Sequence, residues 1–433
     1  MEPRGLRVRA RPARRLTARP AAALAAALAV AALALVPAAA PPLTAPAAAD
    51  AVRDQQYWLD DYGIREAWQV TRGEGVVIAI LDSGVDASHP DLAGVVLGGT
   101  DVSGRGNATG TLPLGPVGIT HGTMVASLAA GRGSGPASGV IGAAPAAGIL
   151  SISLAFGPTE RSGDDQIAEG VRWAVDNGAD IISLSLTRNQ LDWPASWDDA
   201  FLHAERNDVV VIAAAGNRGS GTEQVSAPAT MPGVLTVGGV DRFGRASGDA
   251  SSQGITIGVM APSEALIGAI PGGGHRFWQG TSGATPIVAG IAALVRAAHP
   301  ELDAANVVNR IISTARPVTA AVPDPLYGYG LVDAAAAVSA DVDPVAENPL
   351  GSLADWVALN RRAEAEPLAA ALPELRAAIG RHADPAPFGM PTAGSAPPEP
   401  IIPIALIVTG VGTALATLAA AGVLRFVTRT RTE

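Results

Sequence analysis

The chain has 433 residues, of which 48% are hydrophobic and 16% are charged, so it is long and apolar enough to bury a large core. Its formal net charge is −10, and the thirty basic residues counted in it are all Arg, with the two ends carrying a net positive charge. Between residues 50 and 424 there are 20 Arg against 38 acidic residues, which argues against nucleic acid as a partner. Cysteine is absent, and this alone neither indicates nor excludes export.

Residues 1–49 have the three-part pattern of a secretory signal peptide. Arg-rich sequence up to Arg19 is followed by an apolar run over residues 21–36, and then by small alanines at 38–40 and 47–49. We therefore predict that this segment directs export. An uncleaved membrane anchor is the alternative.

Between residues 50 and 340, short β-branched runs alternate with helical stretches. The clearest predicted strands are Val76–Leu81, Ile149–Leu154, Ile181–Leu186, Val209–Ala215 and Val234–Val240. Predicted helices include Gly122–Ala130, Gln166–Asn177 and Trp197–Glu205. Nearly continuous apolar strands separated by helices indicate an α/β domain, with a mostly parallel sheet covered by helices on both faces. In such domains, functional residues collect at the carboxyl ends of the strands.

The composition changes after residue 340. Residues 341–400 contain ten Pro and are predicted to be a Pro-rich linker. Residues 401–424 carry no charge, and a helix of that length crosses about 30 Å of hydrocarbon. We predict a C-terminal transmembrane helix there, in preference to a buried core helix. The three Arg of residues 425–433 would place this tail in the cytoplasm and the body outside.

Four short motifs hold candidate catalytic residues. Asp82 follows a predicted strand, His121 opens a predicted helix, and Asn217 again follows a strand. Ser282 precedes a long apolar run that reads as a buried helix. Each motif alone is also typical of a turn or a helix start.

Together, these residues supply the parts of an acyl-transfer site. Ser282 would be the nucleophile and His121 the base that it needs. Asp82 would orient the imidazole, and the side-chain amide of Asn217 would stabilise the oxyanion together with the Ser282 backbone N–H. No spacing of His, Cys or carboxylates predicts a metal site, and catalysis of this kind requires no cofactor.

The motifs AILDSGVD, HGTMVASLAAG, AAAGN and GTSGATPIVAG, in this order, resemble those of subtilisin-family serine endopeptidases. The resemblance covers roughly residues 56–338. It implies the subtilisin-like three-layer fold, a protein or peptide substrate and an acyl-enzyme. Structural calcium is common in the family, but no position for it can be assigned. The His-Gly-Thr at 121–123 argues against the related sedolisins, and the serine lacks the Gly-x-Ser-x-Gly frame of a lipase.

The resemblance also implies two walls of a substrate pocket. Ser185 and Leu186 match a strand that pairs with the substrate backbone, and Ala215 and Gly216 match the opposite wall. Thr187 stands where the family commonly has Gly, so we expect a narrowed pocket that prefers small or medium apolar residues.

The layout of the chain, from signal peptide through protease domain and Pro-rich linker to a single span and an Arg-containing tail, is similar to that of mycosins. These are membrane-anchored proteases of actinobacterial type VII secretion. The resemblance implies a membrane location and association with a membrane-embedded secretion complex. A generic membrane-anchored subtilisin would share this layout. A structural component of the secretion machinery, whose protease fold serves mainly for docking, is the alternative function.

Two features depart from these families. Mycosins usually carry Cys, which this chain lacks. Subtilisins usually have a bulky residue after the nucleophile, whereas this chain has Gly283. We expect the glycine to loosen the first helical turn and to remove a packing group, which favours a lower activity.

Overall fold

A computed structural model describes residues 51–115, 119–157 and 159–361. The predicted signal peptide, the predicted membrane span over 401–424 and the predicted tail over 425–433 lie outside these residues, and so does most of the predicted linker.

Seven strands form one sheet in which every neighbouring pair is parallel. Their bounds are β1 Val77–Asp82, β2 Val96–Asp101, β3 Gly148–Ser153, β4 Ile181–Leu184, β5 Val210–Ala214, β6 Leu235–Val240 and β7 Ile257–Pro262. The spatial order is β2-β3-β1-β4-β5-β6-β7. The predicted α/β fold with a mostly parallel sheet is therefore confirmed.

Two strands of the sheet, β2 and β7, were absent from the sequence prediction. The edge strand β2 contains two adjacent glycines and is mostly half-exposed, so it lacks the apolar run of a central strand. β7 is fully buried but includes a glycine near its start and ends at Pro262, both of which weaken a strand prediction. A two-stranded antiparallel hairpin, β8 Leu266–Ile270 with β9 Gly274–Trp278, was also missed.

Ten helices surround the strands in the described part of the chain. Their bounds are α1 Ala51–Asp54, α2 Trp58–Asp61, α3 Ile64–Ala67, α4 His121–Ala130, α5 Gly163–Asp176, α6 Ala195–Arg206, α7 Thr281–Ala298, α8 Ala304–Ser313, α9 Ala334–Ser339 and α10 Leu353–Asn360. α4 packs with α7, and α7 also lies against strands β4 to β7. α5 packs with α6, and this second pair contacts β1, β3 and β5. Two separate helix pairs are what a sheet covered on both faces requires.

α7 is the central helix of the core. Of the described helices, it alone has the length and apolar character needed to cross a membrane, and most of it is buried inside the domain. It is therefore a core helix, which the sequence prediction also took it to be.

The packed body continues beyond residue 340, where the sequence analysis placed the start of the linker. The Asn306 side chain donates to the carbonyl oxygen of Val345 at 3.1 Å, and its own oxygen accepts from the N–H of Val345. Leu353 of α10 is buried in the core. The sequence analysis counted residues 341–361 as part of a Pro-rich linker, but these tertiary contacts hold them against the domain.

Candidate active site

Asp82 and His121 form a buried pair at the carboxyl end of the central strand β1. Asp82 is the last residue of β1 and is fully buried, while the His121 side chain is 27% exposed at the start of α4. Both carboxylate oxygens lie 2.8 Å from His121 Nδ1. Asp82 Oδ1 also accepts the N–H of Ser83 at 2.7 Å, and this bond fixes the orientation of the carboxylate. The strand end and the helix start therefore meet as the α/β topology predicts.

The environment of His121 affects its protonation in two opposing ways. Burial disfavours the charged imidazolium, whereas the charge of Asp82 and its hydrogen bond to Nδ1 favour it. The second influence is larger, so the pKa of His121 is raised above its ordinary value of 6.5. An imidazole with these properties is a stronger proton acceptor than a free one.

Ser282 is the second residue of α7 and is half-buried. Four residues later stands Pro286, which has no N–H to give to the Ser282 carbonyl. The Ser185 hydroxyl supplies the missing bond instead, at 2.9 Å. In return, the Ser282 hydroxyl donates to the carbonyl oxygen of Ser185 at 3.3 Å. The proline inside the helix thus leaves the Ser282 carbonyl to Ser185, and this bond ties the predicted nucleophile to the segment after β4.

Asn217 is fixed beside the same helix end by its oxygen. Asn217 Oδ1 accepts from the backbone N–H of Thr281 at 2.8 Å and from the Thr281 hydroxyl at 3.0 Å. The Gly283 N–H donates to the carbonyl of Gly280 at 2.9 Å. The Ser282 N–H lies between the N–H groups of Thr281 and Gly283 at the positive end of α7, where backbone N–H groups stabilise an anion. With its oxygen engaged, Asn217 has its Nδ2 amide group to offer as a donor.

The two predicted pocket walls are linked by one side chain that sequence reasoning did not identify. Asn189 Oδ1 accepts the Thr187 hydroxyl at 2.9 Å and the Thr222 hydroxyl at 2.6 Å. Thr222 in turn lies so close to Gly216 that a Cβ there would be 2.5 Å from Thr222 Cγ2. Gly216 also has a φ of 100°, so the wall requires a glycine for two reasons. The network thus links Thr187 to Thr222, the residue that packs against Gly216.

The expectation that Gly283 removes a packing group is wrong in this chain. A Cβ at Gly283 would lie 2.3 Å from Leu266 Cδ1, 3.3 Å from Trp278 Cζ2 and 3.5 Å from Leu128 Cδ1. Side chains from elsewhere therefore fill the space that a bulky residue would take. Neither Leu266 nor Trp278 belongs to a motif of the candidate site, so the sequence carried no signal for this contact.

Within the described residues, His89, Asp91 and His275 form a group of a type that holds metal ions, with ligand atoms within 4.8 Å of one another. Both ring nitrogens of His89 are already engaged. Nδ1 accepts the N–H of Asp91 at 3.0 Å, and Nε2 lies 3.0 Å from the carbonyl oxygen of Gly274 and donates to it. His275 Nε2 is 2.7 Å from Asp91 Oδ2. Internal hydrogen bonds join the β9 strand to the turn at residues 90–92 through this group, although Asp91 Oδ1 is buried and has no partner within the described residues.

Residues 73–330 match the model of the peptidase S8 subtilase family. The chain belongs to this family. It is 34% identical over 270 residues to a subtilisin from Bacillus pumilus, a match that covers 61% of this chain and 91% of that relative.

Solved structures with the same fold include fervidolysin from Fervidobacterium pennivorans, a keratinolytic enzyme, at 27% identity and a TM-score of 0.59. That match covers 68% of this chain, which spans only 48% of the fervidolysin chain. MycP3, a protease from the type VII (ESX-3) secretion system, is 30% identical with a TM-score of 0.55, and 69% of this subtilase and 90% of MycP3 are covered. The predicted resemblance to subtilisins and mycosins is confirmed.

Proposed function

We propose that this subtilase is an endopeptidase that cleaves peptide bonds through Ser282, His121 and Asp82. The observation that carries the proposal is the His121–Asp82 pair, with 2.8 Å between Nδ1 and each carboxylate oxygen. Because Nδ1 is bound to Asp82, Nε2 is the imidazole atom that can accept a proton, and the raised pKa of His121 favours this transfer. A scaffold with no catalytic role has no physical need for this arrangement. Labelling with a fluorophosphonate probe, which reacts with activated serines, tests the proposal directly.

The proposed reaction needs one rearrangement at Ser282. Its hydroxyl exchanges the 3.3 Å hydrogen bond to the Ser185 carbonyl for one to His121, and such bonds often tighten only with substrate present. Ser282 Oγ then attacks the peptide carbonyl while its proton passes to His121 Nε2. The resulting oxyanion accepts from Asn217 Nδ2 and the Ser282 N–H. The imidazolium returns the proton to the departing amine, and water hydrolyses the acyl-enzyme.

If Asn217 stabilises the oxyanion, Asn217→Ala should lower kcat by a predictable amount. We expect kcat to fall by about 10²- to 10³-fold with little change in KM, because the lost donor acts mainly on the transition state. Fluorophosphonate labelling should continue at a reduced rate. The matched control is Asn207→Ala, at an exposed asparagine of the α6 end. A kcat for Asn217→Ala equal to that of the control would contradict the role.

Thr187 is proposed to narrow the pocket for the residue before the scissile bond. The Asn189 bridge holds the Thr187 hydroxyl, and a branched side chain that faces the pocket would favour Ala or Val there over Phe, and Phe over Arg. We expect Thr187→Gly to raise kcat/KM for a Phe substrate relative to an Ala substrate by about tenfold or more. A peptide library varied at this one position measures the ratio. An unchanged ratio would mean that Thr187 does not face the substrate.

We further propose an extracytoplasmic, membrane-anchored location and a role in type VII secretion. The support is the uncharged run over residues 401–424 followed by three Arg, together with the likeness to MycP3. The proposed partners are the membrane and a secretion complex within it.

The location predicts that the full chain sediments with membranes, and that cleavage between residues 382 and 400 releases the catalytic body. In intact cells, an epitope placed after residue 433 should resist added protease until the membrane is permeabilised. Removal of residues 401–433 is the matched control and should give a protein that stays in the supernatant. An epitope digested in intact cells would overturn the orientation.

A further inference from the structure

The β8–β9 hairpin lies beside both helices of the candidate site. Trp278 ends β9 and pairs across the hairpin with Leu266 of β8. A Cβ at Gly268, in the middle of β8, would lie 3.0 Å from Met124 Cβ on α4, so this strand rests on the first turn of the helix that begins at His121. The hairpin is thus packed against the element that carries the proposed base.

Trp278 contacts His121 directly. The two ring centroids are 5.6 Å apart and the planes are inclined at 82°, which is the edge-to-face arrangement that aromatic rings prefer. The indole Nε1 is buried and has no hydrogen-bond partner within the described residues. Because burial of an unpaired N–H costs free energy, the position of the indole is maintained by its packing rather than by a polar contact.

Gly283 packs beside Leu266 and beside the indole of Trp278. It has ordinary helical φ, so its backbone conformation does not require glycine. Its missing side chain instead leaves room for Leu266, and a Cβ would also come within 3.3 Å of Trp278 Cζ2. A long side chain at position 283 would compete with the indole for this space. The residue after the nucleophile and the ring beside the base are therefore sterically coupled.

We propose that Trp278 is a positioning residue for His121, and that Gly283 is the complementary change that admits it. The inference rests on the proposed function of His121 as the base. Asp82 holds His121 only at Nδ1, which leaves the ring free to swing about that contact. A perpendicular indole beside the ring limits this swing and so would keep Nε2 within reach of the Ser282 hydroxyl in the proposed reaction. Trp278 thus acts through His121 and takes no proton itself.

The first test compares single and double variants by steady-state kinetics. Trp278→Ala should lower kcat by about 10- to 100-fold with KM little changed, since displacement of a reacting group by about 1 Å has effects of this size. Trp278→Phe should retain most of the rate, because a smaller aromatic ring still limits the swing of the imidazole. The control is Phe277→Ala, at the exposed neighbour in β9, which should leave kcat unchanged.

The coupling is tested with Gly283→Met. Alone, this change should lower kcat by displacing the indole. In the Trp278→Ala background there is no indole to displace, so the two losses should not multiply and the double variant should retain about the kcat of Trp278→Ala. Full kcat in Trp278→Ala, or losses that simply multiply in the double variant, would overturn the inference.

A second measurement does not depend on catalysis. In Ser282→Ala, protonation of His121 should quench Trp278 fluorescence, so intrinsic emission should titrate with one transition that Trp278→Phe removes. The chain has seven Trp and six His, so the transition assigned to Trp278 is the part of the titration that Trp278→Phe removes, and this part should be absent from Ser282→Ala/His121→Gln. A transition that persists without His121 would refute the contact. A normal titration in a chain that hydrolyses no peptide would instead sustain the contact and refute the proposed function.

Discussion

Ser282→Ala should abolish fluorophosphonate labelling and lower peptide hydrolysis by about 10⁶-fold, the scale known for loss of this serine from a subtilisin. The remaining rate would come from the oxyanion donors and from substrate binding, which the change leaves in place. The fold should be retained, because the hydroxyl makes one long bond of 3.3 Å to the Ser185 carbonyl. The helix start does not depend on it either, since the Thr281 N–H is already bound by Asn217.

The experiment requires purified protein, a generic peptide substrate and a thermal melt on the same sample. Ser313→Ala is the matched control, because its hydroxyl is exposed and donates to Asn309 at the end of α8. The control should label and hydrolyse like the unaltered chain. Peptidase activity that survives in Ser282→Ala would show that the nucleophile lies elsewhere.

Asp82→Asn should lower kcat by about 10⁴-fold at neutral pH while the side chain keeps its shape. The structure indicates why. The Ser83 N–H, 2.7 Å from Oδ1, would hold the carbonyl oxygen of the new amide in that position. The NH₂ group would then replace Oδ2 and donate to His121 Nδ1, now 2.8 Å from that oxygen. The proton of a neutral His121 would move to Nε2, which could no longer accept one from Ser282.

A second His–Asp pair on the surface provides the control. His203 Nε2 lies 2.7 Å from Asp176 Oδ1, and both side chains are exposed. Asp176→Asn should therefore leave kcat and KM unchanged. A loss of less than tenfold in Asp82→Asn would rule out the proposed control of the His121 tautomer.

The candidate catalytic residues were predictable because each occupies a position defined by local sequence. Asp82 and Asn217 follow short apolar runs that read as buried strands, and His121 and Ser282 stand at helix starts. Parallel strands bring such positions to one edge of the sheet, so the chain order of four motifs was enough to expect them close together. The resemblance to subtilisins rested on these same motifs.

The apolar character of the central strands likewise followed from the sequence, since a strand buried on both faces must be apolar throughout. β2 was not predicted, because a strand at the edge of the sheet can keep small and polar residues half-exposed and so lacks a continuous apolar run. The packing of residues 341–361 against the domain was not predicted, for a related reason. Proline content describes local backbone preference, whereas the contacts of Val345 and Leu353 with the body join positions far apart in the chain.

The sequence by itself determined the fold class, the order of the four motifs and the chemistry of each candidate group, because local polarity and backbone propensity act over a few residues. Only the tertiary structure decided what surrounds those groups. It showed that Ser185 replaces the hydrogen bond lost at Pro286, and that Trp278 fills the space beside Gly283. From the sequence alone, the glycine at position 283 predicted the loss of a packing contact. Side chains of the β8–β9 hairpin supply this contact. The position of the hairpin depends on packing across the whole domain, which no local sequence pattern predicts.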